Sequence, residues 1–524
     1  MFLRKLKQTA VLLLTMLVMA AQASTLRWAA QNDILSLDPH SQNHTVTTAL
    51  LMHSYEGLTR YNARYELEPA LASKWTVVSP TLIRFELRKG VKFHDGTPFT
   101  ADDVVFSFNR IRQPQGTMQI YVTGIKEIRK LGLHEIELQL EATNPLLLKN
   151  LVDFRIVSKP WAEKHKSVQV QDYRSKEENY ASRNVNGTGP YKITGWQPDQ
   201  KVSLTLNKDW WDQHHNNVAE VQYLPIKSDA TRVAALLSGD VDLLTDLPTQ
   251  DVARLKSDPR IKLVEGPETR TVFFALDQGS EELRGSNVKG KNPFKDRRVR
   301  EAMSIAIDRE AIKRTTMRGL SIPAALMIPP GVNGHSAELD AVVRPDLDKA
   351  RKLLADAGYA QGFEVPLYCP NNRYVNDEEI CLAVVSMWAK IGIQARLVAQ
   401  PMSQHSQAFQ RFEAPLYMLG WGVPNFDAQF TLQAITHTRT GGPDGSFNYA
   451  KVSDAKLDQL IDALKVEPDM AKRNALIREA LLRVRDEHLF IPLHHQIRPW
   501  AMKTNVDTVH RSDDRPEARF TSIR

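Results

Sequence analysis

Apolar and polar positions in this chain repeat with two periods, and the switches between them mark its elements. Over residues 81–88, Leu82, Arg84 and Glu86 alternate with Ile83, Phe85 and Leu87, which predicts a strand. Thr100 with Asp103 three residues on predicts a helix start, after which Val104, Val105 and Phe108 share one face. Residues 126–140 read as a hairpin turning near Gly132. A helix opening at Asp229 carries Val233, Leu236 and Leu237 inward and stops at Gly239. Residues 296–317 predict one helix, and residues 349–357 another that ends at Gly358. Strands and helices then alternate over 363–368, 377–391, 394–399, 403–412, 416–420 and 428–435. That order predicts an α/β fold with a mostly parallel sheet covered on both faces. Helices over 454–464 and 470–485 precede a strand pair near Phe490 and Arg498. No repeat or low-complexity linker separates these elements.

The first residues change the picture of where the chain works. Arg4, Lys5 and Lys7 precede an apolar run over about residues 10–20, and Ala21-Gln22-Ala23 supplies small residues for a signal peptidase. Residues 1–23 are therefore expected to be a cleaved leader, with Ser24 as the mature N-terminus. The run is shorter than the roughly 20 apolar residues of a membrane span. No cysteine near the cleavage point suggests a lipid anchor, so a periplasmic location follows. The formal charge is +7, and without the leader's three basic residues it is about +4. A balance so mild, with no basic stripe, argues against a nucleic-acid partner. Cys369 and Cys381 are the only cysteines. In an oxidising space the pair reads as a disulfide of about 2–3 kcal/mol, with two buried thiols as the alternative.

Motifs for chemistry mostly fail. Gly285 to Asn292 resembles a phosphate-binding loop, but Asn292 stands where Ser or Thr must reach magnesium, so it reads as a solvated loop. No G-x-S-x-G elbow and no H-E-x-x-H occurs. His214-His215 and His494-His495 are adjacent pairs, and neighbours on a strand face opposite ways, so neither chelates a metal by itself. No catalytic constellation, metal set or cofactor site is read, and no enzyme is expected.

A run of motifs covers essentially the whole mature chain. Residues 55–110 contain Y-E-G-L, then P-A-L-A-x-x-W, then V-K-F-H-D-G-T-P-F-T-A-D-D-V-x-F-S. Gly187-Thr188-Gly189-Pro190-Tyr191, Trp210-Trp211, Gly239-Asp240-Val241-Asp242, Ile307-Asp308-Arg309 and Ala357-Gly358-Tyr359 follow in order. This succession resembles the family 5 extracellular solute-binding proteins, the oligopeptide, dipeptide, glutathione and nickel-binding group. The resemblance implies a bilobed α/β periplasmic-binding-protein fold with an extra subdomain inserted in lobe I. Carried onto this chain, lobe I takes 24–53, 194–277 and 489–524, the insertion 54–193, and lobe II 278–488. It further implies a monomer that closes on a small ligand and docks on the membrane permease of an ABC importer with cytoplasmic ATPases.

The same resemblance suggests where ligand sits. Arg373, in the loop before Tyr374, matches the Arg that pairs with a ligand carboxylate in dipeptide binders. Arg155 matches a carboxylate-binding Arg of the nickel-chelate binder, and a guanidinium fork suits that contact. Trp421 falls where the family forms a pocket wall. The Asp that holds a peptide's amine would fall near Gly422 or Val423 and is absent, with Asp427 a substitute or simply the start of the next helix. The expected ligand is a carboxylated, short or modified peptide of glutathione-like kind. A metal–organic chelate such as a nickel complex, or a non-transport chaperone or sensor role, is the alternative.

Overall fold

The computed structural model describes residues 24–175 and 177–524. The expected leader, residues 1–23, lies outside them. No helix among the described residues is long and apolar enough to cross a membrane. One 11-stranded sheet runs through the molecule in the order Ile393–Gln400, Phe363–Pro370, Leu416–Gly422, Ile261–Leu276, Phe490–Lys503, Leu243–Leu244, Ser24–Ala30, Val218–Pro225, Lys201–Leu206, Tyr191–Gln197. Ser321–Pro323 pairs with Phe490–Lys503 from the side.

This sheet is mixed rather than mostly parallel. Phe363–Pro370 and Ser24–Ala30 run parallel to both neighbours, while the remaining pairings are antiparallel. Helical crossovers serve only the parallel strands; the others return through turns or through the other lobe.

Two long strands join the lobes. Residues 270–276 of Ile261–Leu276 pair with Leu416–Gly422 on the lobe II side. Residues 261–267 pair only with the far end of Phe490–Lys503, which also meets Leu243–Leu244 of lobe I. The register shifts between Pro267 and Thr271, so the strand's partners change there. Phe490–Lys503 is a single 14-residue strand, where the sequence suggested a pair.

The inserted subdomain has its own four-stranded antiparallel sheet, ordered Ala72–Ser79, Leu82–Leu87, Glu135–Leu140, Ile125–Gly132. Ile83, Phe85 and Leu87 point inward and Arg84 and Glu86 outward. Helix Ala101–Ile111 starts in a capping box, with Asp103 Oδ2 accepting from the Thr100 amide at 2.9 Å.

Elsewhere the local chemistry cuts helices where the pattern suggested continuity. Residues 296–317 form two helices, Arg297–Ile305 and Arg309–Thr315, because the Asp308 side chain caps the second by accepting from the Ala311 amide. Residues 428–435 begin as α-helix over Gln429–Thr431 and widen into a π-turn over Leu432–Thr436. Helix Asp229–Ser238 ends at Gly239, whose φ of 88° is left-handed. Lobe II packs around Phe274 and Trp388, whose indole N–H donates to the Met303 carbonyl at 2.8 Å. Lobe I packs around Trp28, Tyr223 and Trp500.

Candidate ligand site

The shared strands hold the lobes around a chamber of about 860 Å³ of atom-free space, including its mouth. All parts of the fold contribute walls. Lobe I gives His44, Asp513 and Arg515, the insertion Tyr121, the hinge Arg270, and lobe II Arg373, Tyr374, Trp421 and Phe430. Across the cleft, Asn425 Nδ2 of lobe II donates to Asn150 Oδ1 of the insertion at 2.9 Å.

Arg373 is built into this wall by its own loop. The loop leaves strand Phe363–Pro370 and enters helix Asp377–Ala389. Cys369 and Cys381 form a disulfide between that strand and that helix, with Cα atoms 6.7 Å apart. Asp377 Oδ2 accepts from the amides of Arg373 and Tyr374, and burial pushes its carboxyl up to about 6. Tyr374 packs on strand Leu416–Gly422, its hydroxyl donating to the Gly420 carbonyl at 3.3 Å. Gly420 is required there, because a Cβ would sit 2.5 Å from the Tyr374 ring.

Electrostatics separate three arginines of the chamber. Arg270 pairs with Glu268 and donates to the Gly420 carbonyl at 3.0 Å and Thr45 Oγ1 at 2.8 Å. Arg515 grips both oxygens of Asp153 at 2.9 and 2.8 Å. Arg373 is 3 % exposed, its Nη1 has no hydrogen-bond partner, and no carboxylate among the described residues pairs with it. Burial, then the charge of Arg270, lowers its pKa from the ordinary value. A buried guanidinium with free donors favours an anion placed against it.

The apolar wall is aromatic. Trp421 lies against Phe430 at 5.5 Å and 25° between planes, and against Phe447 at 4.7 Å. Its indole N–H is buried without an acceptor. His44 Nδ1 meets Thr47 Oγ1 at 3.1 Å, leaving Nε2 unpartnered. Burial, with Arg373 and Arg270 adding to it, holds His44 well below the usual imidazole range, so it is neutral.

Of the residues expected at the site, Arg373, Tyr374 and Trp421 come together here. Arg155 does not. It borders a smaller neighbouring cavity and is held by Asp153 at 2.6 Å and the Tyr55 carbonyl at 3.1 Å. Asp427 is also elsewhere, in a buried two-point pair with Arg473 at 2.8 and 2.7 Å. Gly422 and Val423, where the family's amine-binding Asp would fall, line the wall. Asp513 also borders the chamber, but accepts from the Tyr65 hydroxyl at 3.0 Å and from Arg511 at 3.2 Å. Sequence reasoning missed Arg270, His44 and Arg515. The one visible signal was Glu268 and Arg270 heading the apolar run 271–276.

Relatives have the same architecture. The chain is 27% identical over 460 residues to heme-binding protein A of Haemophilus influenzae, covering 82% of this chain and 79% of that protein. It is 25% identical over 477 residues to a glutathione-binding protein of Salmonella paratyphi A, covering 89% and 88%. A periplasmic binding protein of A. tumefacien R10 solved with agropinic acid superposes with a TM-score of 0.84 at 24% identity, over 96% of this chain and 99% of that one. Residues 66–443 match the model of bacterial extracellular solute-binding proteins, family 5. The two-lobed fold, the shared strands and that match place the chain in one family: it is a member of the family 5 bacterial extracellular solute-binding proteins.

Proposed function

We propose that this protein is the periplasmic binding component of an ABC importer and captures a small, carboxylated, peptide-like ligand. The unpaired, buried guanidinium of Arg373 carries this reading. Ligand carboxylate supplies the counter-charge, Trp421 and Phe430 cover the apolar part, and the Trp421 N–H donates to a ligand oxygen. The relative that binds glutathione and the solved neighbour that holds agropinic acid support an acidic ligand of this size. Without an unpaired acid in the wall, an amine contributes little to recognition. The lobes close by bending the two long strands where their register shifts, and the ligand is selected by its preference for the closed form.

A second reading rests on His44. Its neutral, unpartnered Nε2 is an available transition-metal ligand, so a metal held on a small carboxylated chelator also fits the chamber. Native mass spectrometry of protein purified without refolding distinguishes the two. An acidic organic adduct without metal supports the first reading, and a metal-containing adduct supports the second. Small-angle scattering should contract when the identified ligand is returned to stripped protein. A ligand with no acid group would overturn both.

A further inference from the structure

Away from the chamber, three side chains converge beside the shared strands. Asp340 lies in the lobe II segment that follows Ser321–Pro323. Its Oδ1 accepts from the amides of Ala325 and Leu326 at 2.8 and 2.7 Å, which fixes the plane of the carboxylate. Oδ2 faces two imidazoles, His495 Nε2 at 2.7 Å and His335 Nε2 at 3.0 Å. The three donor atoms lie within 4.8 Å of one another. His495 and Asp340 are buried, while the His335 side chain keeps 13% exposure and opens the cluster to solvent. None of the three borders the ligand chamber.

We propose that His335, Asp340 and His495 bind one divalent first-row transition cation, clasping the lobe II segment around Asp340 to the hinge strand that carries His495. Two imidazoles and one carboxylate are a usual donor set for zinc and its neighbours. Ligand atoms of a tetrahedral site on bonds of about 2.0–2.1 Å stand about 3.3 Å apart, so the two imidazoles, at 2.7 and 3.0 Å from Asp340 Oδ2, need move only by a few tenths of an ångström to admit a cation. His495 Nδ1 lies 2.9 Å from Thr271 Oγ1 on the other long strand. With Nε2 on the metal, Nδ1 carries the ring proton and donates it to that hydroxyl, which sets the plane of the imidazole. The cluster of His437, Asp444 and Asp462 is different, because Lys465 Nζ already bridges both carboxylates at 2.9 and 2.7 Å. The sequence could not show the first site, since His494 and His495 are adjacent and His335 lies far away along the chain.

Mature protein stripped by chelator dialysis is titrated with Zn2+ by calorimetry, and bound metal is counted by plasma mass spectrometry. Co2+ serves as the spectroscopic probe through its d–d bands. The expected result is one equivalent bound, with visible Co2+ absorption and a raised Tm. His335→Ala and His335→Gln should both weaken Zn2+ by at least about tenfold, while His437→Ala leaves it unchanged. The Gln variant keeps a hydrogen bond to Asp340, so it separates loss of a ligand from loss of folding. Wild-type protein that binds no Zn2+ overturns the proposal, as does binding that survives His335→Gln or is lost only in His437→Ala.

Discussion

Asp377 Oδ2 accepts from the backbone amides of Arg373 and Tyr374, each at 2.9 Å, so one buried carboxylate holds the turn that aims the Arg373 guanidinium. Cys381 lies about one turn along the same helix and is bonded to Cys369 on the strand before the loop. The loop is therefore clamped at both ends before ligand arrives. Removing the clamp should cost preorganisation as well as stability. A Cys369→Ala, Cys381→Ala double variant is expected to lose about 2–3 kcal/mol in urea unfolding. Its ligand affinity should fall by roughly two- to tenfold, the cost of ordering a side chain that the bridge had ordered in advance. Unchanged affinity, or two alkylatable thiols in unreduced protein, would contradict the clamp.

Arg373 itself gives the sharper test. Truncating one partner of a buried Arg–carboxylate contact costs about 2–5 kcal/mol, or roughly 30- to several-thousand-fold in affinity. Arg373→Ala should show that loss with the co-purified ligand in calorimetry. The ligand-free Tm should change little, because the substitution removes a buried cation that no carboxylate pairs with directly, although Asp514, Glu268 and Asp246 feel its charge. Arg373→Lys is expected to recover only part of the affinity, since an ammonium cannot reproduce the planar fork. Wild-type binding by the Ala variant would take the carboxylate out of the ligand model.

Much of this arrangement is legible in the chain, and the failures have physical causes. Period-two burial located strand Leu82–Leu87, and capping residues located helix Ala101–Ile111, because both signals are local. The mixed sheet was not visible, since strand direction depends on which remote strand pairs with which. Phe490–Lys503 looked like two strands because Pro492 and Pro499 sit inside a run that serves both lobes. At the site, Arg373, Tyr374 and Trp421 follow from the order of motifs along the chain. Arg155 and Asp427 carry the right charge but meet the wrong neighbours. Asp153, two residues from Arg155, and Arg473, on helix Met470–Asp486, take up their charges. Whether a buried charge has a partner is a tertiary fact, and it decides which arginine is left for a ligand.

The Asp427–Arg473 pair separates stability from binding. Both side chains are almost fully buried, and Asp427 also accepts from Asn333 Nδ2 at 2.9 Å. Asp427→Ala should cost about 3–5 kcal/mol by stranding the Arg473 charge. An Asp427→Leu, Arg473→Met double variant should recover most of that loss. The folded fraction of either variant is expected to bind ligand as wild type does. A single variant that keeps its Tm but loses affinity would put Asp427 back in the site.

The last prediction concerns acid. His494 is 2 % exposed and neither ring nitrogen has a partner. Burial, with the neighbouring His495 adding to it, lowers its pKa from 6.5 to about 3. Between those values the unfolded chain holds a proton that the folded protein refuses. The stability tied to neutral His494 is therefore complete above about pH 6.5 and is lost as pH falls toward 3. His40, at about 3, and His94, His405 and His488, at about 4, act in the same direction through burial. Asp514 opposes them. Burial pushes its carboxyl up to about 7, so the folded state keeps a proton that the unfolded chain has released, and this contribution grows as pH falls from 7 toward 4. Asp377, at about 6, adds a smaller opposing share. The five histidines outweigh the two carboxyls, and net stability should decline below about pH 6. His494→Leu forfeits no hydrogen bond and removes one of the acid-sensitive groups. In urea unfolding it should match or exceed the wild type at pH 7.5 and exceed it by about 2 kcal/mol at pH 5. If its stability profile runs parallel to the wild type over that range, His494 is not held neutral in the fold.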